Sequence, residues 1–420
     1  MIKLRKTATT PTDQGQLQVN VTSATNRFPI ENATISISDS FEPDQTLEEV
    51  TTNSSGQSPQ LTLAAPPLDY SLEAGSPRPY TEYTLRVTAP DYEPVLVTGT
   101  EILPGVLAVQ PIQMRPLDLG PSPSDNILIP DHTLYGDYPP KIAEPEIKPL
   151  GEDGEIVLSR VVVPETIIVH DGAPSNASAR NYYVPYKDYI KNVASSEIYA
   201  TWPEATITAN VLAILSFTMN RVYTEFYRNR GYDFTITSST AYDHKWIYGR
   251  NIYEDISRIV DDIFTDYLSR PDVKQPILTQ YCDGKRVTCP NWMTQWGSKN
   301  LGDQGYSPIE ILRHFYGDDM YINTAEVISG IPSSWPGSNL QVGSRSDKVR
   351  QMQEQLDAIR SIYTAIPPLA VDGIFGAGTE TAVREFQSIF GLPATGIVDY
   401  RTWYKISEIY VGVTRIAELV

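Results

Sequence analysis

Along residues 188–205, DYIKNVASSEIYATWPEA, the apolar positions Ile190, Val193 and Ala194 recur at helical spacing. They share one face, and Glu197 falls on that face one turn later. Trp202-Pro203 follows almost at once, so a short helix should end near Glu197 and a second should open at Pro203. In the second, Ile207, Val211, Ile214, Leu215 and Val222 mark the buried side and Gly231 suits the stop. NIYEDISRIVDDIFTDYL carries Ile252, Ile256, Ile259, Val260 and Ile263 on one side, and GYSPIEILRHFYG reads as a short helix. EIVLSRVVVPETIIVHDG supplies strands and TITSSTAYDHKWIYG returns to β, so residues 156–335 read as an α+β domain. Scattered glycines in GSKNLGDQG, residues 297–305, match no phosphate loop and read as a turn.

The pattern changes on either side. QLQVNVTS, ATISISD, YTLRVTAP and VLAVQPIQM alternate or run apolar between turn signals, which predicts an N-terminal β-sandwich over residues 1–115. Residues 116–155 form a Pro-rich linker with eight prolines between 116 and 150, predicted to be extended, exposed and open to proteases. Over residues 340–412 three helical stretches follow, with Val349, Met352, Leu356 and Ile359 in the first. Ala382, Val383, Phe386 and Phe390 lie in the second, with Gly391 as its stop, and Asp399 caps the third. The expected architecture is therefore a multidomain α+β chain ending in a small three-helix module.

Bulk properties agree with a globular protein. At 420 residues two or three domains are expected, and 41% hydrophobic with 20% charged residues excludes disorder. A net charge of −18 without basic runs argues against nucleic acid and anionic membranes as partners. The N-terminal stretch lacks an apolar signal core, and no segment approaches a membrane span, so synthesis without a signal peptide is expected.

Candidate chemistry centres on Glu197. A carboxylate among apolar neighbours should hold its proton, as a general acid for glycoside cleavage requires. The alternative is a helix-end Glu that is solvated or paired with Lys191. Asp243 and His244 lie among Tyr242, Trp246 and Tyr248, a composition that suits sugar rings or simply a core strand. Cys282 and Cys289 fit neither a zinc ribbon nor a redox pair; a local disulfide or two free thiols remain, and a metal site with His244 lacks a fourth ligand.

Residues 184–218 resemble the core signature of the stage II sporulation protein D family of lytic transglycosylases. STAYDHKWIYGR and NWMTQWGSKNLGDQGYSPIEILRHFYG resemble that family's later motifs. The resemblance implies Glu197 as the catalytic acid and Gln295, Trp296 and Gly297 as closing-motif residues. It departs at Asp243-His244 and at CPNWMT, so no metal or other cofactor is implied. Tyr199, Trp202, Tyr242, Asp243, Tyr248, Gln295 and Trp296 become candidates to line a substrate cleft. VGSRSDKVRQMQEQL, VDGIFGAGTETAVREFQ and GLPATGIVD resemble the type 1 peptidoglycan-binding module, placing Asp372, Gly373, Phe375 and Gly376 near a muropeptide groove. The full order resembles clostridial spore-cortex-lytic enzymes of the SleC type. That implies a precursor made in the mother cell, located in the spore and activated by a germination protease cutting in the 116–163 region, with cortex peptidoglycan as substrate. A phage-type endolysin and a non-catalytic wall-binding protein are the competing readings.

Overall fold

The computed structural model describes residues 13–25, 27–119, 126–131, 133–136, 138–148, 158–287, 289–329 and 335–414. The chain is mixed α+β with several sheets and a helical C-terminal region. Its N-terminal strands are β1 (Asp13–Ser23), β2 (Thr34–Asp39), β3 (Thr46–Thr51), β4 (Leu61–Ala65), β5 (Thr81–Thr88), β6 (Val95–Ile102), β7 (Leu107–Met114) and β8 (Asn126–Leu128). A one-turn helix α1 (Asp69–Leu72) interrupts them. One sheet has the order β3-β2-β5-β6-β8. Alternation in β1 and β2 buries Leu17, Val19, Val21, Ile35 and Ile37.

The central segment contains β9 (Val162–Val163), β10 (Thr166–His170), β11 (Asn181–Pro185), α2 (Tyr186–Glu197), α3 (Glu204–Tyr223), β12 (Ile236–Thr237), β13 (Ile252–Tyr253), α4 (Glu254–Ile263), β14 (Asp266–Ser269), β15 (Tyr281–Cys282), β16 (Met293–Thr294), α5 (Gln295–Asp303), α6 (Pro308–Tyr316), β17 (Tyr321–Thr324) and β18 (Val327–Ile328). Helix α3 is the hub: sixteen of its residues are buried. Strand β13 leaves this segment and joins the N-terminal sheet, in the order β13-β7-β1-β4. The N-terminal sheets are thus hydrogen-bonded to the segment that follows the linker.

Three local expectations change. Helix α3 stops at Tyr223, and Gly231, at φ 81°, caps a short 3-10 turn instead. Only Ile236–Thr237 of TITSSTAYDHKWIYG is strand; the rest is an irregular loop. GSKNLGDQG belongs mostly to helix α5, because its glycines serve close packing: a Cβ on Gly302 would lie 1.9 Å from Thr206 Oγ1 of α3. Gly302→Ala should therefore destabilise the chain by about 1–3 kcal/mol despite its better helix propensity. Urea unfolding checks this, and a more stable variant would mean that α5 and α3 do not meet here.

The C-terminal region comprises α7 (Asp347–Arg360), α8 (Ala377–Ile389) and α9 (Tyr400–Thr414). Ser346 caps α7, and Asp399 Oδ1 accepts from Thr402 N at 2.8 Å at the start of α9. Helix α9 lies on the central segment through charge. Lys187 and Lys191 meet Asp261 at 3.2 and 2.7 Å, while Lys187 and Lys405 both pair with Glu408. Burial would raise both carboxyls, but Lys187 with Lys191 holds Asp261 far below its usual range, and Lys187 with Lys405 holds Glu408 at about 2. Folded values below unfolded ones mean this stability is present above the ordinary carboxylate range and is lost as pH falls through it. Acidification from about pH 5 to about pH 2 should release α9, read from Trp335 and Trp403 fluorescence; an unchanged signal would rule out this electrostatic lock.

Candidate active site

Glu197 is the last residue of α2, and Ile198 turns to extended backbone. The stop follows from Trp202-Pro203, which must leave the helical region before Pro203 opens α3. The side chain is 9% exposed. Its Oε1 accepts from the Lys245 backbone N–H at 2.7 Å and its Oε2 from Gln295 Nε2 at 2.8 Å. Gln295 Nε2 also donates to the Glu197 carbonyl at 2.7 Å. The surroundings of the carboxylate are therefore polar, not the apolar stripe expected from its helix neighbours.

Each donor is held from below. Asp243, wholly buried, accepts from Arg221 Nε, Tyr227 Oη and Thr237 N and Oγ1 at 2.6–2.9 Å, which fixes the loop carrying Lys245. His244 packs against Phe217 and Tyr281 and hydrogen-bonds Tyr189; burial, then Lys141 and Arg221, pushes its imidazole well below the usual range. Gln295 opens α5 directly after β16, which pairs with β15 in parallel. That pairing sets Tyr281 beside Glu197, and burial, with Glu197 next among the causes, lifts the phenol far above 10 so that it stays neutral. Cys282 and Cys289 form a disulfide, Cα–Cα 6.1 Å, closing the loop between these strands.

The linker lies across this pocket. Leu134, Tyr138, Pro139 and Lys141 line it together with Ser196, Glu197, Thr240, Lys245, Tyr281 and Gln295. Leu134 is buried; its N–H donates to Tyr199 Oη at 3.2 Å and its carbonyl accepts from Trp296 Nε1 at 3.1 Å. Lys141 Nζ donates to the Asp243 carbonyl at 2.5 Å; burial lowers its pKa while Glu197 and Asp243 oppose that shift. Burial, then the Glu197 charge, raises the Tyr138 phenol to about 12. The remaining cavity is about 40 Å³, room for two or three waters and far too small for a sugar ring. The expected exposed connector is instead bound down among its described residues, through Ile129, Leu134, Ile142, Glu144 and Lys148.

Of the sequence candidates, the structure brings Gln295 to Glu197. Tyr199, Trp202 and Trp296 form an edge-to-face cluster beside it, buried beneath the N-terminal half, with Trp202 Nε1 donating to the Ser71 carbonyl at 2.8 Å. Asp243 does not reach the pocket. Tyr242 is half-buried and its carbonyl accepts from Arg221. Tyr248 is 42% exposed, stacked on Tyr182 outside the pocket. In the C-terminal region Phe375 is core, and Gln353 holds the turn by accepting from Asp372 N and Gly373 N. Gln387 does the same for Gly396, an internal echo the sequence reading missed. Also missed were Lys141, Lys245 and Tyr281, which no local pattern connects to Glu197. Among the described residues no three His, Cys, Asp or Glu side chains are grouped to hold a metal ion, and no helix is long and apolar enough to cross a membrane.

Residues 345–406 match the family described as "Putative peptidoglycan binding domain". A zinc D-Ala-D-Ala carboxypeptidase of Streptomyces albus G is 38% identical over 76 residues, 18% of this chain and 28% of that protein. The chain thus spans little more than a quarter of that curated relative. The solved SleB N-terminal domain is 32% identical, covering 17% of this chain and 93% of that one, with a TM-score of 0.16. The minor pilin GBS52 of Streptococcus agalactiae is 13% identical over 29% of this chain and 50% of its own, TM-score 0.18. The match of residues 345–406 gives the chain a peptidoglycan-binding domain and supports an association with the cell wall.

Proposed function

We propose that this chain is the precursor of a lytic transglycosylase that degrades spore-cortex peptidoglycan. The observation that carries the reading is Glu197, held between Gln295 and Lys245 in a buried pocket, on a chain with a peptidoglycan-binding domain. Two carboxylates line the pocket: Glu197, positioned by amides, and Asp283, whose Oδ1 is engaged by the backbone N–H groups of Lys285, Arg286 and Val287, which leaves Glu197 as the acid; Asp243 is locked in structural bonds below. A hydrolase of the usual kind needs two carboxyls flanking the bond. A transglycosylase needs one, because the substrate provides the nucleophile.

Glu197 gives its proton to the oxygen linking N-acetylmuramic acid to N-acetylglucosamine as the bond to C1 breaks. Its carboxylate then takes the proton of the muramoyl 6-hydroxyl, which bonds to C1 and closes the 1,6-anhydro ring. Gln295 orients the carboxylate through both of its contacts, and the neutral Tyr281 phenol can donate to it as charge develops. Proteolysis within residues 116–163, by a germination protease, would free the linker from the pocket.

The test is to digest purified cortex with the full chain cut once within residues 149–157 and to read the product ends by mass spectrometry. Anhydro-muramyl ends are expected; reducing ends would make the enzyme a hydrolase. The second reading, a protein that only binds wall, draws on the family match being confined to residues 345–406. It predicts binding with no new ends.

A further inference from the structure

The N-terminal half touches the central segment at one point of unusual chemistry. Glu101 on β6 is buried, and its Oε2 accepts from Arg250 Nη2 at 2.7 Å and from Tyr253 Oη at 3.3 Å. Asn251 reads the backbone of the same residue: its Oδ1 accepts from Glu101 N and its Nδ2 donates to Glu101 O, both at 3.0 Å. Ile252 and Tyr253 then pair antiparallel with Val109 and Ala108 of β7. Arg250 and Asn251 thus recognise one amide unit bearing a free carboxylate, and Ile252–Tyr253 beside them offer a strand edge that takes a second extended segment.

The same residues lead directly to the acid. Arg250 Nη1 donates to Ser196 Oγ at 3.2 Å, and Tyr253 N to Ser195 Oγ at 3.4 Å. Ser196 precedes Glu197 and lines its pocket. A buried guanidinium is costly without an anion, so removal of Glu101 leaves a site selective for another carboxylate. Peptidoglycan stem peptides are short amide chains carrying free carboxylates, attached to the muramoyl unit beside the bond in question.

We propose that Arg250, Asn251 and β13 form a binding site for the carboxylate-bearing stem peptide of the substrate, and that Glu101 occupies it in the precursor as an internal mimic. This rests on the proposed release of the N-terminal part. The occupant favoured is a peptide because Asn251 engages both the N–H and the C=O of one amide unit while Arg250 takes its acid. A neutral sugar such as N-acetylglucosamine would satisfy the first contact through its acetamido group but not the second.

The full chain is cut once within residues 149–157, and dissociation or re-association of the N-terminal fragment is followed by native mass spectrometry. Three probes compete: N-acetylmuramyl tripeptide with free carboxylates, its amidated counterpart, and chitotetraose. The free-carboxylate probe should displace the fragment at concentrations about tenfold or more below those of the amidated one, with chitotetraose weaker still. Glu101→Gln, which keeps the backbone contacts to Asn251, should lower the concentration needed by about tenfold again. Equal potency of the two peptides, or no effect of Glu101→Gln, overturns the proposal. Neither peptide contains a glycosidic bond between sugars, so displacement succeeds or fails independently of whether the chain cleaves glycan.

Discussion

Replacing Glu197 with Gln should lower glycan cleavage by the processed chain about 10²–10⁴-fold, the usual contribution of a positioned general acid. The change removes the transferable proton at the cost of one hydrogen bond. Lys245 N–H keeps an acceptor at the Oε1 position, and Gln295 can present oxygen to the new side chain by giving up its bond to the residue-197 carbonyl. Stability should therefore shift by no more than about 1–2 kcal/mol. Wall binding, expected of the peptidoglycan-binding domain at residues 345–406, should be unchanged. Cleavage rates on cortex and a pull-down on the same material check both halves. A variant retaining a tenth or more of the rate would remove Glu197 from the reaction.

The uncut chain should be at least about 100-fold less active than the chain cut within residues 149–157, since a site open only one part in a hundred loses that factor. The linker is held by main-chain bonds from Ile142 N to Ala241 O and from Leu278 N to Glu146 O. Glu144 pairs with Arg221, and Glu146 with Arg270. Leu134 fills the space beside Trp296, and Lys141 reaches into the same pocket as Glu197, its Nζ donating to the Asp243 carbonyl. Leu134→Asp should recover part of the activity without any cut, because a carboxylate there would be buried unpaired beside Glu197 and would favour the open state. Comparable rates for cut and uncut chains would show that the linker does not govern access.

The course of α2 into α3 was legible because it depends on neighbours a few residues apart. Ile190, Val193, Ala194 and Glu197 share a face, and Trp202-Pro203 forces the break. The polarity around Glu197 was not legible from that stripe, since its donors come from positions 48 and 98 residues further along the chain. Gln295 could be placed by motif resemblance alone; no periodicity ties it to Glu197. The linker's prolines foretold an extended backbone but not what it lies against, because single side chains such as Leu134 and Lys141 make those contacts without a repeating pattern. Gly297 and Gly302 misled in the opposite sense. Glycine in a turn and glycine in a close-packed helix look alike in sequence, and only the approach of Thr206 to Gly302, and of Thr294 and Phe315 to Gly297, separates them. The spacing of Cys282 and Cys289 left two states open, and the fold of the loop between β15 and β16 brings their Cα atoms to 6.1 Å in a disulfide.

The most direct measurement of the central claim is digestion of cortex by the cut chain in water enriched in heavy oxygen, with the new muramoyl ends weighed by mass spectrometry. Internal attack by the 6-hydroxyl takes no oxygen from solvent, so the account predicts anhydro ends without the isotope, absent from the Glu197→Gln digest. Heavy oxygen at C1 of the new ends would mean that water is the nucleophile and would contradict the single-carboxylate mechanism.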